Sequence, residues 1–152
     1  MDGRSGAVEV RVVDLATTLD LRRRVLRSHL PGAPATAPTD ELAGTWHLGA
    51  FRDQTLVGVI TGFDQEAPGL PGRAAERFRF MAVEPSQQGT GVGRTLIAEV
   101  AARARERAIH VLWAHGRDSA LDFYRSLGFA VVGPAFDDPV SLLPHRVVML
   151  EL

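Results

Sequence analysis

The chain has 152 residues, 45% hydrophobic and 23% charged, with a formal net charge of −1 and no cysteine. That length accommodates one domain with a hydrophobic core and not two ordinary ones, so a single domain over residues 1–152 is expected, with 1–6 flexible. The near-neutral charge offers no basic field for nucleic acid or an anionic membrane, and the missing cysteines exclude disulfides, thiolate nucleophiles and thiolate metal sites. No apolar run reaches the ~18 residues of a membrane span, and residues 1–6 lack the apolar stretch of a signal peptide, so a cytoplasmic protein is expected.

Val8, Val10 and Val12 alternate with Glu9 and Arg11, the period-two pattern of a strand with one buried face. From Leu15 the spacing turns helical through Leu19, Val25, Leu26 and Leu30, and the helix is expected to end near Pro31. Arg22, Arg23, Arg24 and Arg27 lie between these positions as a basic sector that could meet an acidic substrate, a solvated face being the plainer account. Pro31, Pro34 and Pro38 forbid regular structure up to Thr39 and predict an ordered loop or a mobile flap, after which Asp40 can open a short helical turn. Trp46–Phe51 and Leu56–Phe63 read as a hairpin across a polar turn, and Arg77–Val83 as the next strand, ended by Glu84-Pro85.

Val92, Leu96, Ile97, Val100, Ala101, Ala104 and Ala108 form one helical stripe, predicting a long helix over the sheet. Val111–Ala114 suits a strand buried on both faces. A second helix follows from Asp118, its expected N-cap, and stops at Gly128. Phe129–Val132 and Arg146–Leu152 close the chain as strands. The order β-α-β-β-β-α-β-α-β-β defines an α/β fold joining an antiparallel meander to strand-helix-strand units.

The densest chemical signal is Gln88-Gly89-Thr90-Gly91-Val92-Gly93-Arg94, between a strand and the head of a helix. Glycines let the backbone turn sharply, and the free N–H groups of a helix's first turn attract an anion, so a pyrophosphate fits here. Nucleotide, dinucleotide and coenzyme A all carry one. No lysine follows the glycines, as a Walker loop requires, and the dinucleotide fingerprint is matched only at Gly89 and Gly91. The bland alternative is a plain strand-to-helix turn.

Gln88, Gly91 and Gly93 fill the cofactor-loop pattern of the GNAT acetyltransferase superfamily. Met81-Ala82-Val83-Glu84-Pro85 resembles that family's strand ending before the loop, and Ala120 through Phe129 resembles its later helix-strand signature. The resemblance implies a mixed, partly splayed sheet flanked by helices, and acetyl-CoA as cofactor. Main-chain groups of Met81, Ala82 and Val83 would pair with the pantetheine, while Gln88, Gly89, Thr90, Gly91, Val92, Gly93 and Arg94 hold the pyrophosphate. Phe123 and His115 would touch the cofactor, although His115 stands where the family often has asparagine.

The same resemblance gives Tyr124 a catalytic role, hydrogen-bonding the departing thiolate; the alternative is a core tyrosine bonded to a backbone carbonyl. Glu84, closing its strand beside the thioester, is the first candidate for the base that deprotonates the substrate ammonium. The implied reaction is direct attack of a primary amine, on a small molecule or a protein terminus, upon the acyl-CoA carbonyl. Acceptor choice would belong to residues 22–39 and 137–145, with Arg22, Trp46 and His145 as candidate contacts; packing of Trp46 and solvation of Arg22 are the plainer accounts. A noncatalytic coenzyme A sensor is the alternative function, and an exposed strand edge offers a homodimer contact. His29, His47 and His110 lack ligand-like spacing, so no metal is expected.

Overall fold

The computed structural model describes residues 4–152. The flexible start expected at residues 1–6 thus falls partly outside the described residues, and the Arg4 carbonyl accepts a hydrogen bond from Arg52 Nη1 at 2.6 Å. Strands β1 (Val8–Val13), β2 (Trp46–Arg52), β3 (Thr55–Asp64), β4 (Ala75–Val83), β5 (Val111–Arg117), β6 (Ala130–Asp137) and β7 (Pro144–Glu151) form one sheet in the spatial order 1-2-3-4-5-7-6. Helices α1 (Leu15–Leu21), α2 (Val92–Glu106) and α3 (Leu121–Ser126) flank it. Neighbouring strands run antiparallel except β4 and β5. No helix is long and apolar enough to cross a membrane among the described residues.

The expected stripe of α2 is buried from Val92 to Ala104 and packs with Leu48, Ile60, Phe78 and Leu112. Ala108 lies beyond the helix end, in a turn at φ 59°. Val92, Leu96 and Val100 are each at most 1% exposed, and burying each such side chain stabilises by about 1.5–3 kcal/mol. Because Val92 sits in the first turn, this packing anchors the amide end of α2. Asp118 does not cap α3 as expected; it opens a 3-10 turn, and α3 begins after Ala120 with no side-chain cap.

Asp14 starts α1, its Oδ1 accepting from the Thr17 amide at 2.9 Å. The helix continues only as a π-helical turn over Arg22–Leu26, short of Pro31. The basic sector expected to be solvated is split: Arg23 and Arg24 are exposed, whereas Arg22 and Arg27 are buried. Arg22 donates to both Asp40 oxygens at 2.9 Å, to the Ala35 carbonyl at 3.0 Å and to Thr61 Oγ1 at 2.6 Å. Its guanidinium also covers the Phe80 ring at 3.9 Å. The prolines of 31–39 therefore shape a loop tied to the sheet rather than a free flap, and the bond to Ala35 is the tie.

A buried pair of this kind has a partner-removal cost of ~3–5 kcal/mol, because the surviving charge has no water. Burial raises the Asp40 carboxyl, but hydrogen bonds from Arg22 and the Ala37 amide outweigh it and leave the group below its ordinary value. Its stabilisation is thus present above the unfolded carboxylate's pKa and lost as pH falls through the folded one. Asp40→Ala is expected to lower the unfolding free energy by ~3–5 kcal/mol in denaturant titration at neutral pH. That gap should narrow in acid.

Candidate functional site

β4 and β5 share a ladder only at Ala75↔Val111, Glu76↔Leu112 and Arg77↔Trp113. Beyond it β4 stays paired to β3 as far as Val83, and β5 to β7 as far as Arg117. Their inner edges therefore face each other unpaired, across a cleft of about 650 Å³. The β3–β4 register shifts opposite Ile60, between Val59↔Ala82 and Thr61↔Arg79, and Phe80 takes φ 55° there. Such a bulge bends and twists a strand and leaves a residue out of the ladder. A left-handed phenylalanine costs about 1–2 kcal/mol, and guanidiniums of Arg22 and Arg79 at 3.9 and 4.3 Å hold its ring in place.

At the open end of the gap lies the glycine loop. Gly89 and Gly91 adopt φ 80° and 93°, and Gly91 is the N-cap of α2 without any side-chain hydrogen bond to the first turn. The amides of Gly89, Gly91, Val92, Gly93 and Arg94 find no acceptor among the described residues. They are the donor set a diphosphate needs, and the geometry fits one. Gln88, Gly89, Gly91, Val92, Gly93 and Arg94 all line the cleft. Thr90 does not, because its hydroxyl donates to the Gln87 carbonyl at 2.6 Å and accepts from Arg52 Nη1 at 3.1 Å. Arg52 also donates to Gln87 Oε1 at 2.6 Å. These three side chains brace the loop from beneath.

Alternation across the sheet gives the cleft two sides. Met81 and Val83 border it on the side of α2 and α3, with Phe123 and Tyr124. Ala82, expected beside them, turns its buried side chain the other way, towards Leu21 and Val59, and does not line the cleft. Tyr124 is 6% exposed and packs on Gly116, where a Cβ would lie 3.0 Å from the ring. The expected alternative of a carbonyl-bonded tyrosine does not hold: its hydroxyl makes no hydrogen bond among the described residues. Burial raises its pKa, only partly offset by Arg117, so it keeps its proton and remains a donor.

The α1 side carries Arg27, Arg77, Arg79, His115, Arg117, Asp138 and His145. His115 Nδ1 accepts from Arg77 Nη2 at 3.1 Å, which puts its proton on Nε2. Burial, with Arg77, His145 and Arg79 nearby, pulls its pKa down to about 4, so the ring is neutral in the physiological range. His145 is 7% exposed and donates Nδ1–H to the Leu143 carbonyl at 2.8 Å, leaving Nε2 as an acceptor. Sequence reasoning missed this arginine wall, although Arg77 and Arg79 alternating with Phe78 and Phe80 in an inner strand was a legible anomaly.

Three further expectations are corrected. Glu84 does not line the cleft; Arg24 clamps both its oxygens at 3.0 and 2.7 Å. Those hydrogen bonds hold its pKa below the ordinary value, making it a poor base. Arg22 is wholly buried in the Asp40 pair and cannot meet a ligand. Trp46 lies outside the cleft, donating Nε1–H to the buried Glu76 Oε2 at 3.1 Å.

Comparison with known proteins agrees with this fold. The family model described as an acetyltransferase (GNAT) domain matches residues 35–144. YitI of Bacillus subtilis, an uncharacterised N-acetyltransferase, is 30% identical over 132 residues, covering 87% of this chain and 89% of its own. An acyl-CoA N-acyltransferase from Pseudomonas aeruginosa shares the fold with a TM-score of 0.74 at 16% identity, over 94% of this chain and 99% of that one. A GNAT family acetyltransferase from Elizabethkingia anophelis, solved with acetyl-CoA bound, superposes with a TM-score of 0.69 at 13% identity, over 95% and 98% of the two chains.

A side chain at Gly91 would force a β-branched residue into φ 93° at the mouth of the loop, a strain of about 1–2 kcal/mol before any contact with the anion. Gly91→Val is expected to weaken coenzyme A binding by about tenfold or more in calorimetric titration. Undiminished affinity would contradict the amide cradle.

Proposed function

The chain belongs to the GNAT acetyltransferase family, and from that premise we propose that it moves an acetyl group from acetyl-CoA to a primary amine, with Tyr124 assisting the thiolate leaving group. The carrying observation is the coincidence, in one cleft, of two unpaired strand edges, the free amides of Gly89 and Gly91 to Arg94, and an unpartnered tyrosine hydroxyl. Bound acetyl-CoA would supply an activated thioester. The loop amides would hold its diphosphate, and the exposed β4 edge at Met81–Val83 would pair with the pantetheine amides as an added strand does.

The acceptor nitrogen forms the new C–N bond while the C–S bond breaks and the sulfur leaves as thiolate. Tyr124 donates a hydrogen bond to that sulfur. A full proton transfer would run uphill, since burial raises the phenol and an ordinary thiol sits near ~8.5. The proton leaving the amine needs an acceptor with a free lone pair in the cleft. His145 suits that task better than Glu84, because its Nε2 lone pair is free and it lines the cleft. His115 is less suited, its Nδ1 being occupied by Arg77.

Tyr124→Phe is expected to lower kcat by about 10–100-fold, as loss of one charge-stabilising donor does, while acetyl-CoA affinity stays nearly unchanged. Free-thiol release with an amine panel and calorimetry measure the two quantities. Undiminished turnover would assign the hydroxyl to packing alone.

A further inference from the structure

The α1 side of the cleft gathers four arginines that have no carboxylate partner; elsewhere the buried Arg52 likewise has only neutral acceptors. Arg11, Arg22, Arg24, Arg73, Arg103, Arg107, Arg125 and Arg146 each have a carboxylate partner. Arg27, Arg77, Arg79 and Arg117 line the cleft, and among the described residues none is in an ion pair. What they have instead are neutral partners that leave donors over. Arg117 gives one bond, to the Leu26 carbonyl at 2.6 Å, and Arg79 only a long one, to Thr39 Oγ1 at 3.4 Å. Arg27 is held by the Pro34 and Leu26 carbonyls. Arg77 reaches Gln65 and His115, and its buried Nε has no partner among the described residues.

A guanidinium has five N–H donors and stays charged, so a half-buried group of four is unfavourable unless an anion completes it. Burial lowers the pKa of Arg77 to about 10, helped by Arg79, and lowers those of Arg27, Arg79 and Arg117 as well. Asp138 is the carboxylate among the lining residues, and the Arg22-paired Asp40 lies behind Arg79. Asp138 Oδ2 accepts from the Val140 and Ser141 amides at 3.0 and 2.7 Å, the Ser141 side chain is a further donor, and no arginine pairs with Asp138 among the described residues. The phosphates of the coenzyme do not answer this charge, since their amide cradle lies across the sheet at the head of α2. A polyamine or a lysine-rich peptide would be repelled.

We propose that the acceptor is a primary amine carrying a carboxylate close to it, its anion held among Arg27, Arg77, Arg79 and Arg117 and its ammonium beside Asp138 and His145. This rests on the acyl-transfer reading above. The carboxylate can belong to a free amino acid or to an acidic residue near a peptide N-terminus. The juxtaposition of four guanidiniums outside any ion pair with one carboxylate and a free imidazole nitrogen is what a zwitterion matches.

The test compares amino acids with their own carboxamides, together with spermidine and an acidic tripeptide amidated at its C-terminus, by thiol release from acetyl-CoA. Removing the carboxylate is expected to lower kcat/KM by about tenfold or more, the worth of a charged hydrogen bond, with spermidine poorest. Best turnover of the tripeptide would mark a protein terminus as the source, and best turnover of the free amino acids a metabolite; both support the inference. Arg79→Gln and Arg117→Gln should each narrow the acid-to-amide ratio through KM while acetyl-CoA affinity is unchanged. If either variant fails to fold, the comparison on the unmodified enzyme still decides. Carboxamides or spermidine used as well as the acids would overturn the inference and leave acyl transfer standing. No thiol release with any amine and no binding of acetyl-CoA would remove both.

Discussion

The structure turns on the point where β4 and β5 stop sharing hydrogen bonds, at Arg77↔Trp113. Backbone donors and acceptors seldom go unpaired, so a sheet opened along its centre needs its outer ladders to hold each strand separately. β3 and β7 do this, and the result is a slot whose walls are main-chain edges. The β4–β5 pairing, the only parallel one among the described residues, is also where the α2 crossover returns the chain. The amide end of that helix therefore arrives beside the gap, fixed there by the burial of Val92 and Leu96.

Two groups of arginines do opposite work around that slot. Arg22, fully paired with Asp40, is a structural cation that fastens the 31–40 loop and backs the strained Phe80 from below. Arg27, Arg77, Arg79 and Arg117 lie nearby with only neutral partners and leave hydrogen-bond capacity directed at the cleft. The difference is one carboxylate. Where the fold supplies Asp40 the charge is spent on stability, and where it supplies only Asp138 the charge is available to a ligand.

The element order and the head of α2 were legible because local signals agree there: a strand ended by proline, glycines, then an uninterrupted apolar stripe. Tyr124 was legible through its motif, but Gly116, which makes room for its ring, carries no local signature. Arg22 and Trp46 were misplaced for one reason. Their burial depends on Asp40 and Glu76, residues 18 and 30 positions away, and periodicity within a segment cannot report a partner outside it. Glu84 was read from its place at a strand end, whereas its chemistry is set by Arg24 on a different element. The arginine wall is assembled from β4, β5 and the turn after α1, so it exists only once those pieces are brought together.

A crystal structure with coenzyme A bound tests the central claim most directly. Diphosphate oxygens are expected at about 2.7–3.2 Å from the amides of Gly89 and Gly91 to Arg94, with the pantetheine lying between the unpaired edges of β4 and β5. Coenzyme A seated elsewhere, or β4 and β5 zipped together beyond Arg77 with those amides bonded internally, would contradict it.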